Sequence, residues 1–235
     1  AELPGVTRAR EGALQALVAW LALARGDQAA AVGCDFPFSL PTRFMAPGRW
    51  RQWVRDFEVR YPSPADWVAH CRGVGSEQEE RRETDRLAHT PFAASNLRLY
   101  RQTWYGVARV LAPLTAQAGA RVLPFQAPQA GRLWLLEPCP ASLLKRLELY
   151  RRFSPYKGSR DAARRNREAM MMELEARYGL TFARAALRRQ VVENRGGDAL
   201  DAVLAVLITH CALQRADLAK PGGRAHFQRE GYVYH

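Results

Sequence analysis

Three places in the sequence put a carboxylate where solubility does not require one. Asp35 ends the short apolar run from Ala29 to Cys34 and is followed by Phe36-Pro37-Phe38-Ser39-Leu40-Pro41. Glu137 ends a second run, Leu133-Trp134-Leu135-Leu136, and is followed by Pro138. Asp198 and Asp201 stand three apart in Asp198-Ala199-Leu200-Asp201-Ala202-Val203, so on a helix they share one face. A helix N-terminus favours negative charge by about 0.3–1 kcal/mol, which accounts for Asp198 and less well for Asp201 one turn further in. Taken singly, each acid reads more simply as a turn or cap residue. Jointly, two strand-end acids and a helix-borne Asp form the pattern that binds two divalent cations about 3.5–4 Å apart for phosphodiester hydrolysis. Mg²⁺ or Mn²⁺ would suit, because hard cations take oxygen ligands and keep several waters. On this reading Asp35, Glu137 and Asp201 are the metal ligands and Asp198 supports them.

The elements that must position these acids follow from periodicity. Both apolar runs read as buried strands, each ended by a proline-bearing loop. Apolar residues at helical spacing run from an N-cap at Thr7 to Arg25, where Gly26-Asp27 stops them. Ser63-Pro64-Ala65-Asp66 reads as a helix start. The stretch from Gly75 to His89 is almost purely charged and reads as a solvated helix or mobile insertion. A long helix is expected from Asn96 to Ala118, bent at Pro113 and closed by Gly119. Further helices are expected at about 142–150, 161–178, 182–194 and 198–216, the last entered through Gly196-Gly197. The fold class is α/β and helix-rich, one domain over 1–235 with a helical insertion at roughly 48–118.

The charge has a location. The chain carries 35 Lys and Arg against 23 Asp and Glu, a formal +12, and the only lysines are Lys145, Lys157 and Lys220. A GC-rich coding sequence would account for arginine over lysine without any partner. Between Lys145 and Arg195, however, fourteen basic residues face six acidic ones, so +8 of the total lies in that stretch. Lys157, Arg160, Arg164, Arg165 and Arg167 directly follow the Glu137 motif and are the candidate contacts to nucleic acid, whose binding would weaken steeply with salt. A solvated helix face paired with Glu168, Glu173 and Glu175 is the equal alternative.

Other chemistry is weakly signalled. Trp50, Trp53, Trp67 and Trp104 with Tyr100 and Tyr105 would stack bases, but at helical spacing they read as core. Met170-Met171-Met172 reads as gap-filling core. The five histidines share no metal-ligand spacing. Cys34, Cys71, Cys139 and Cys211 form no CxxC pair, so reduced thiols are expected. No apolar run reaches the length of a membrane span and no signal-peptide pattern opens the chain, so the expected location is cytoplasmic.

Val32-Gly33-Cys34-Asp35-Phe36-Pro37-Phe38-Ser39-Leu40-Pro41, Leu135-Leu136-Glu137-Pro138-Cys139-Pro140-Ala141, Ser154-Pro155-Tyr156-Lys157-Gly158 and Gly197-Asp198-Ala199-Leu200-Asp201-Ala202 resemble the ordered motifs of the domain-of-unknown-function family 429. The resemblance runs from about residue 7 to Glu230-Gly231-Tyr232-Val233-Tyr234. It implies a ribonuclease H-like three-layer fold and metal-dependent nuclease activity, with Asp35 at the end of the fourth strand of that plan, Glu137 at the end of the fifth and Asp201 on the closing helix. The family plan opens with three antiparallel strands, the first holding an Asp in a Gly-Ile-Asp-like context. Only six residues precede the helix at Thr7, so the expectation is a truncation lacking those strands and one metal ligand, the alternative being a natural form without that ligand. An open sheet edge would then favour a partner, such as a second copy in a homodimer. The alternative expectation is a non-catalytic nucleic-acid-binding or interaction module.

Overall fold

The computed structural model describes residues 9–23, 30–45, 50–74, 79–116, 119–214, 218 and 224–235. Four strands form the sheet: β1 (Ala31–Gly33), β2 (Ala120–Val122), β3 (Leu133–Pro138) and β4 (Val233–Tyr234). All pairings are parallel. β3 is central, with β1 on one side (Gly33 opposite Leu136) and β2 on the other (Val122 opposite Leu135), and β4 adds at its far end, Glu137 opposite Val233. Parallel strands are covered on both faces and therefore read as continuous apolar runs rather than alternating ones. Side chains alternate along β3: Leu133 and Leu135 enter one core, Trp134 and Leu136 the other.

Each face is covered by helices. On one side pack α1 (Arg10–Leu23), α2 (Trp50–Arg60), α3 (Pro64–Val74) and a broken helix comprising α5 (Tyr100–Gly106), a π-helical turn at Val107–Leu111 and α6 (Ala112–Ala116); α4 (Glu83–Leu87) lies between α3 and α5 in sequence. On the other side pack α7 (Pro140–Arg146), α8 (Leu149–Arg152), α9 (Asp161–Tyr178), α10 (Ala185–Glu193) and α11 (Asp198–Gln214), and α12 (Ala225–Glu230) leads into β4. Trp53, Phe57, Trp67 and Trp104 share one buried cluster with Leu133 and Leu135. The segment read as an insertion thus builds the same core as the sheet, and its tryptophans are core. Met170 and Met171 are buried while Met172 is exposed.

Several expectations are met closely. Ser63 Oγ accepts from the Asp66 amide at 3.3 Å at the start of α3, and α9 spans the expected interval and ends at Gly179 in the left-handed region. Others shift. The long helix breaks into a π turn before Pro113, and Glu137 and Pro138 belong to β3 rather than following it. The N-cap at Thr7, the stop at Gly26-Asp27 and the end of the long helix at Ala118 lie outside the described residues. Among the described residues no single helix is long and apolar enough to cross a membrane.

Candidate functional site

Beyond the ends of β1 and β3 a cleft of about 220 Å³ is lined by Asp35, Arg82, Glu137, Tyr156, Lys157 and Asp201, among others. Three of the four acids singled out by sequence, Asp35, Glu137 and Asp201, therefore meet from distant positions along the chain. α11 lies close against the last residue of β1, Gly33, where a Cβ would collide with Thr209 Oγ1 and crowd the Ala205 carbonyl. That close approach carries Asp201, on the buried side of α11, to the strand ends. Asp198 is exposed one turn earlier and does not line the cleft, though its charge acts on Asp35 and Lys157.

The three carboxylates differ in how they are held. Glu137 is buried and fully engaged. Arg82 Nη2 reaches Oε1 at 2.5 Å, Arg82 Nη1 reaches Oε2 at 2.9 Å, and the Phe38 amide donates to Oε2 at 2.9 Å. The same guanidinium binds Asp85 through Nε at 3.0 Å and Nη2 at 2.7 Å. Burial pushes the Glu137 carboxyl up, and Arg82 opposes that. Burial would also lower Arg82, but Asp85 and Glu137 more than offset it and the guanidinium stays charged. Glu137, expected as a metal ligand, is thus half of a buried ion pair, with both oxygens taken. The charged stretch expected to be a solvated face supplies that pair, because Arg82 and Asp85 turn inward.

Asp201 is buried, accepting from Tyr156 Oη at 2.8 Å and Lys157 Nζ at 2.6 Å. Burial and then the Asp201 charge raise the Tyr156 hydroxyl, which therefore stays a donor. Partial burial would lower the Lys157 ammonium, but its hydrogen bond to Asp201 and that residue's charge raise it on balance. Asp35 is different. Its backbone carbonyl accepts from Gln102 Nε2, but no hydrogen bond to its carboxylate is made among the described residues. Its side chain meets solvent at the mouth of the cleft while protein atoms crowd it on the other sides. Desolvation first, then repulsion from Asp201, Glu137 and Asp198, pushes the carboxyl up to about 7. Burial also pushes the neighbouring thiols up, Cys34 to about 12 and Cys139 to about 11. Neither is a thiolate nucleophile.

Compared with family models, with curated proteins and with solved structures, the chain matches none.

The basic residues divide. Arg167 is buried, donating to the carbonyls of Val192 at 2.6 Å, Tyr156 at 2.6 Å and Gly158 at 3.2 Å. It clamps the loop that carries Tyr156 and Lys157 and is buried there, where the sequence reading expected a side chain presented to nucleic acid. Arg160, Arg164 and Arg165 are exposed at the start of α9 just after that loop, with Arg164 in a loose pair with Glu193 at 3.4 Å. They do not line the cleft.

Among the described residues no three Asp, Glu, His or Cys side chains form a ready metal-binding group. Asp35 fits a divalent cation by donor chemistry, and Asp201 does once the half-exposed Lys157 releases its Oδ2; Glu137, held by the buried Arg82, does not. The sequence reading also gave no site role to Arg82 and Asp85, and none to Tyr156 beyond its place in the Ser154-to-Gly158 motif. The i, i+3 spacing of Arg82 and Asp85 is a signal for a pair, but nothing along the chain distinguishes it from Glu83 and Arg86, which stay exposed.

Proposed function

We propose that the cleft hydrolyses phosphodiester bonds in nucleic acid, on a ribonuclease H-like plan, with one divalent cation, Mg²⁺ or Mn²⁺, held by Asp35 and Asp201. The observation that carries this reading is the meeting of two carboxylates, Asp201 and Asp35, in one cleft beyond the strand ends, with no hydrogen bond to the Asp35 carboxylate among the described residues. The Asp35 carboxyl is raised to about 7 beside a second carboxylate, and the nearby cation, Lys157, is hydrogen-bonded to Asp201 instead. A cation shared by the two acids would relieve that repulsion, and its affinity would rise with pH as Asp35 gives up its proton. Held there by Asp35 and Asp201, such an ion would supply Lewis-acid chemistry, acidifying a water and polarising a phosphoryl oxygen.

The chain's own groups have separable tasks. Tyr156 orients Asp201 through its hydroxyl. Lys157 is half-exposed and long enough to exchange Asp201 for a phosphate oxygen, and the exposed Arg160, Arg164 and Arg165 extend positive charge along the approach. Glu137 binds Arg82 and shapes the wall, a structural task in place of the ligand role expected for it. The motif resemblance at Asp35, Glu137 and Asp198 to Asp201 supports the same reading.

The test is cleavage of labelled single-stranded and duplex DNA and RNA with Mg²⁺, with Mn²⁺ and with EDTA. Asp35→Asn and Asp201→Asn should each abolish metal-dependent cleavage while circular dichroism is unchanged. Unaltered cleavage in both variants would sink the assignment. One observation favours a second reading, a non-catalytic binding module: Arg82 and Lys157 already neutralise two of the three acids. Salt-sensitive binding with no cleavage under any metal would select it.

A further inference from the structure

On the other side of Asp35 and Phe36 from the cleft lies a larger cavity, about 610 Å³, that the reading above does not use. Its floor is apolar: Leu14, Leu17 and Leu21 of α1, Val32 of β1, and Tyr105 and Val110 of the broken helix. Its rim is cationic: Arg10, Arg98 and Arg101 border it and are exposed. Among the described residues none of these three arginines pairs with a carboxylate; Arg10 lies over the Tyr105 ring at 4.7 Å, Arg101 Nε donates to Tyr100 Oη at 2.9 Å, and Arg98 lies over Phe92 at 5.6 Å. Arg109, one helical turn from Tyr105, is by contrast tied to Glu11 and Glu58. Asp35, Phe36, Arg98 and Gln102 border both cavities, which therefore adjoin.

We infer that this second cavity is a nucleotide slot: an unpaired base enters the apolar floor beside Tyr105 while its flanking phosphates lie on Arg98 and Arg101, leading the strand past Phe36 to Asp35. The volume is in the range of small-molecule sites. An apolar, aromatic-walled cavity with an unpaired arginine rim selects a flat apolar body carrying negative charge, and a nucleotide within a strand is such a body. A base stacked inside a duplex cannot enter, so the substrate class is single-stranded nucleic acid or a strand with a splayed-out nucleotide. This rests on the reading that the molecule acts on nucleic acid, and it adds which form.

The test is equilibrium binding by fluorescence anisotropy in EDTA, so that it does not depend on cleavage. The probes are a single-stranded oligonucleotide, its duplex, and an abasic single strand of equal length and charge. The intact single strand should bind about tenfold or more tighter than the abasic one, as base–aromatic stacking would give. Leu17→Trp, which fills the floor, should lower it to the abasic level. Arg98→Ala with Arg101→Ala should weaken both single strands and reduce the slope of log K against log salt by about 1.4, two phosphates at about 0.7 each. Equal binding of intact and abasic strands, equal binding of duplex, or no effect of the arginine pair would overturn the slot. So would a change of oligomeric state in Leu17→Trp, which would assign the cavity to a second copy. Cleavage lost with base-dependent binding kept would refute the catalytic reading alone; cleavage kept without base dependence would refute the slot alone.

Discussion

Replacing Arg82 by Met tests whether the ion pair at the end of β3 is what closes the cleft wall. The guanidinium is 1% exposed and serves two carboxylates, Glu137 and Asp85, that are themselves buried. Methionine fills much of the volume but strands both acids, each with one backbone amide left: Phe38 for Glu137 and Arg82 for Asp85. Removing one partner of a buried pair costs about 3–5 kcal/mol. For 235 residues the unfolding entropy is about 0.5 kcal/mol per kelvin, so Tm should fall by about 6–10 °C at pH 8. The pH dependence has a definite sign. Without Arg82 the folded-state pKa of Glu137 climbs further above its ordinary value, so the folded protein holds a proton that the unfolded chain releases. Stability then falls as pH rises through that interval, and the deficit should be smallest near pH 5 and largest near pH 8. Adding Glu137→Gln removes a stranded charge and should restore part of the loss at pH 8. Thermal melts of wild type, the single variant and the double variant across that range decide it. A loss below about 1 kcal/mol at pH 8, or one independent of both pH and Glu137, would refute the reasoning.

Four further outcomes are expected. Because the folded-state pKa of Asp35 is raised to about 7, its share of stability is present below the unfolded value and lost as pH rises towards 7; Asp35→Asn should melt above wild type at pH 8, with the gap closing at pH 4. Arg167→Met leaves the Tyr156, Gly158 and Val192 carbonyls without their donor and should cost about 1–3 kcal/mol, read as a lower Tm and faster proteolysis between 154 and 160, with Arg167→Lys restoring part. Gly33→Ala drives a methyl into Thr209 and the α11 backbone; overpacking of this kind costs about 1–3 kcal/mol, measurable by denaturant titration. Tyr156→Phe removes one donor from Asp201 but leaves Lys157, so Mg²⁺-dependent cleavage should fall in kcat with little change in KM and little change in Tm.

What the sequence revealed and concealed divides along physical lines. β1 and β3 were legible because parallel strands covered on both faces are written as unbroken apolar runs, each here ended by an acid, Asp35 and Glu137, and Asp201 stood out as an acid within an apolar helix. β2 and β4 were not, since β2 carries Arg121 at its centre and β4 is two residues long, so neither is written as an apolar run. The division of labour among the acids was hidden for a different reason. Charge along a chain has no direction, so the run containing Arg82 looked like surface; only the fold turns Arg82 and Asp85 inward while Glu83 and Arg86 point to water. Arg167 misled in the same way, being one of four closely spaced basic residues and the one whose helical phase buries it.

The order in which β3 acquires its neighbours constrains when the molecule becomes competent. β1 waits about a hundred residues for β3, and β3 in turn waits about a hundred more for Val233 and Tyr234, which also brings the Val233 amide to Thr84 at 2.6 Å and the Glu230 carboxylate to the Thr42 and Glu83 amides. A chain emerging from the ribosome can therefore collapse its helical layers early, yet it cannot seal the wall of the cleft until residues 230–234 are free of the exit tunnel. Such non-local closure is slow.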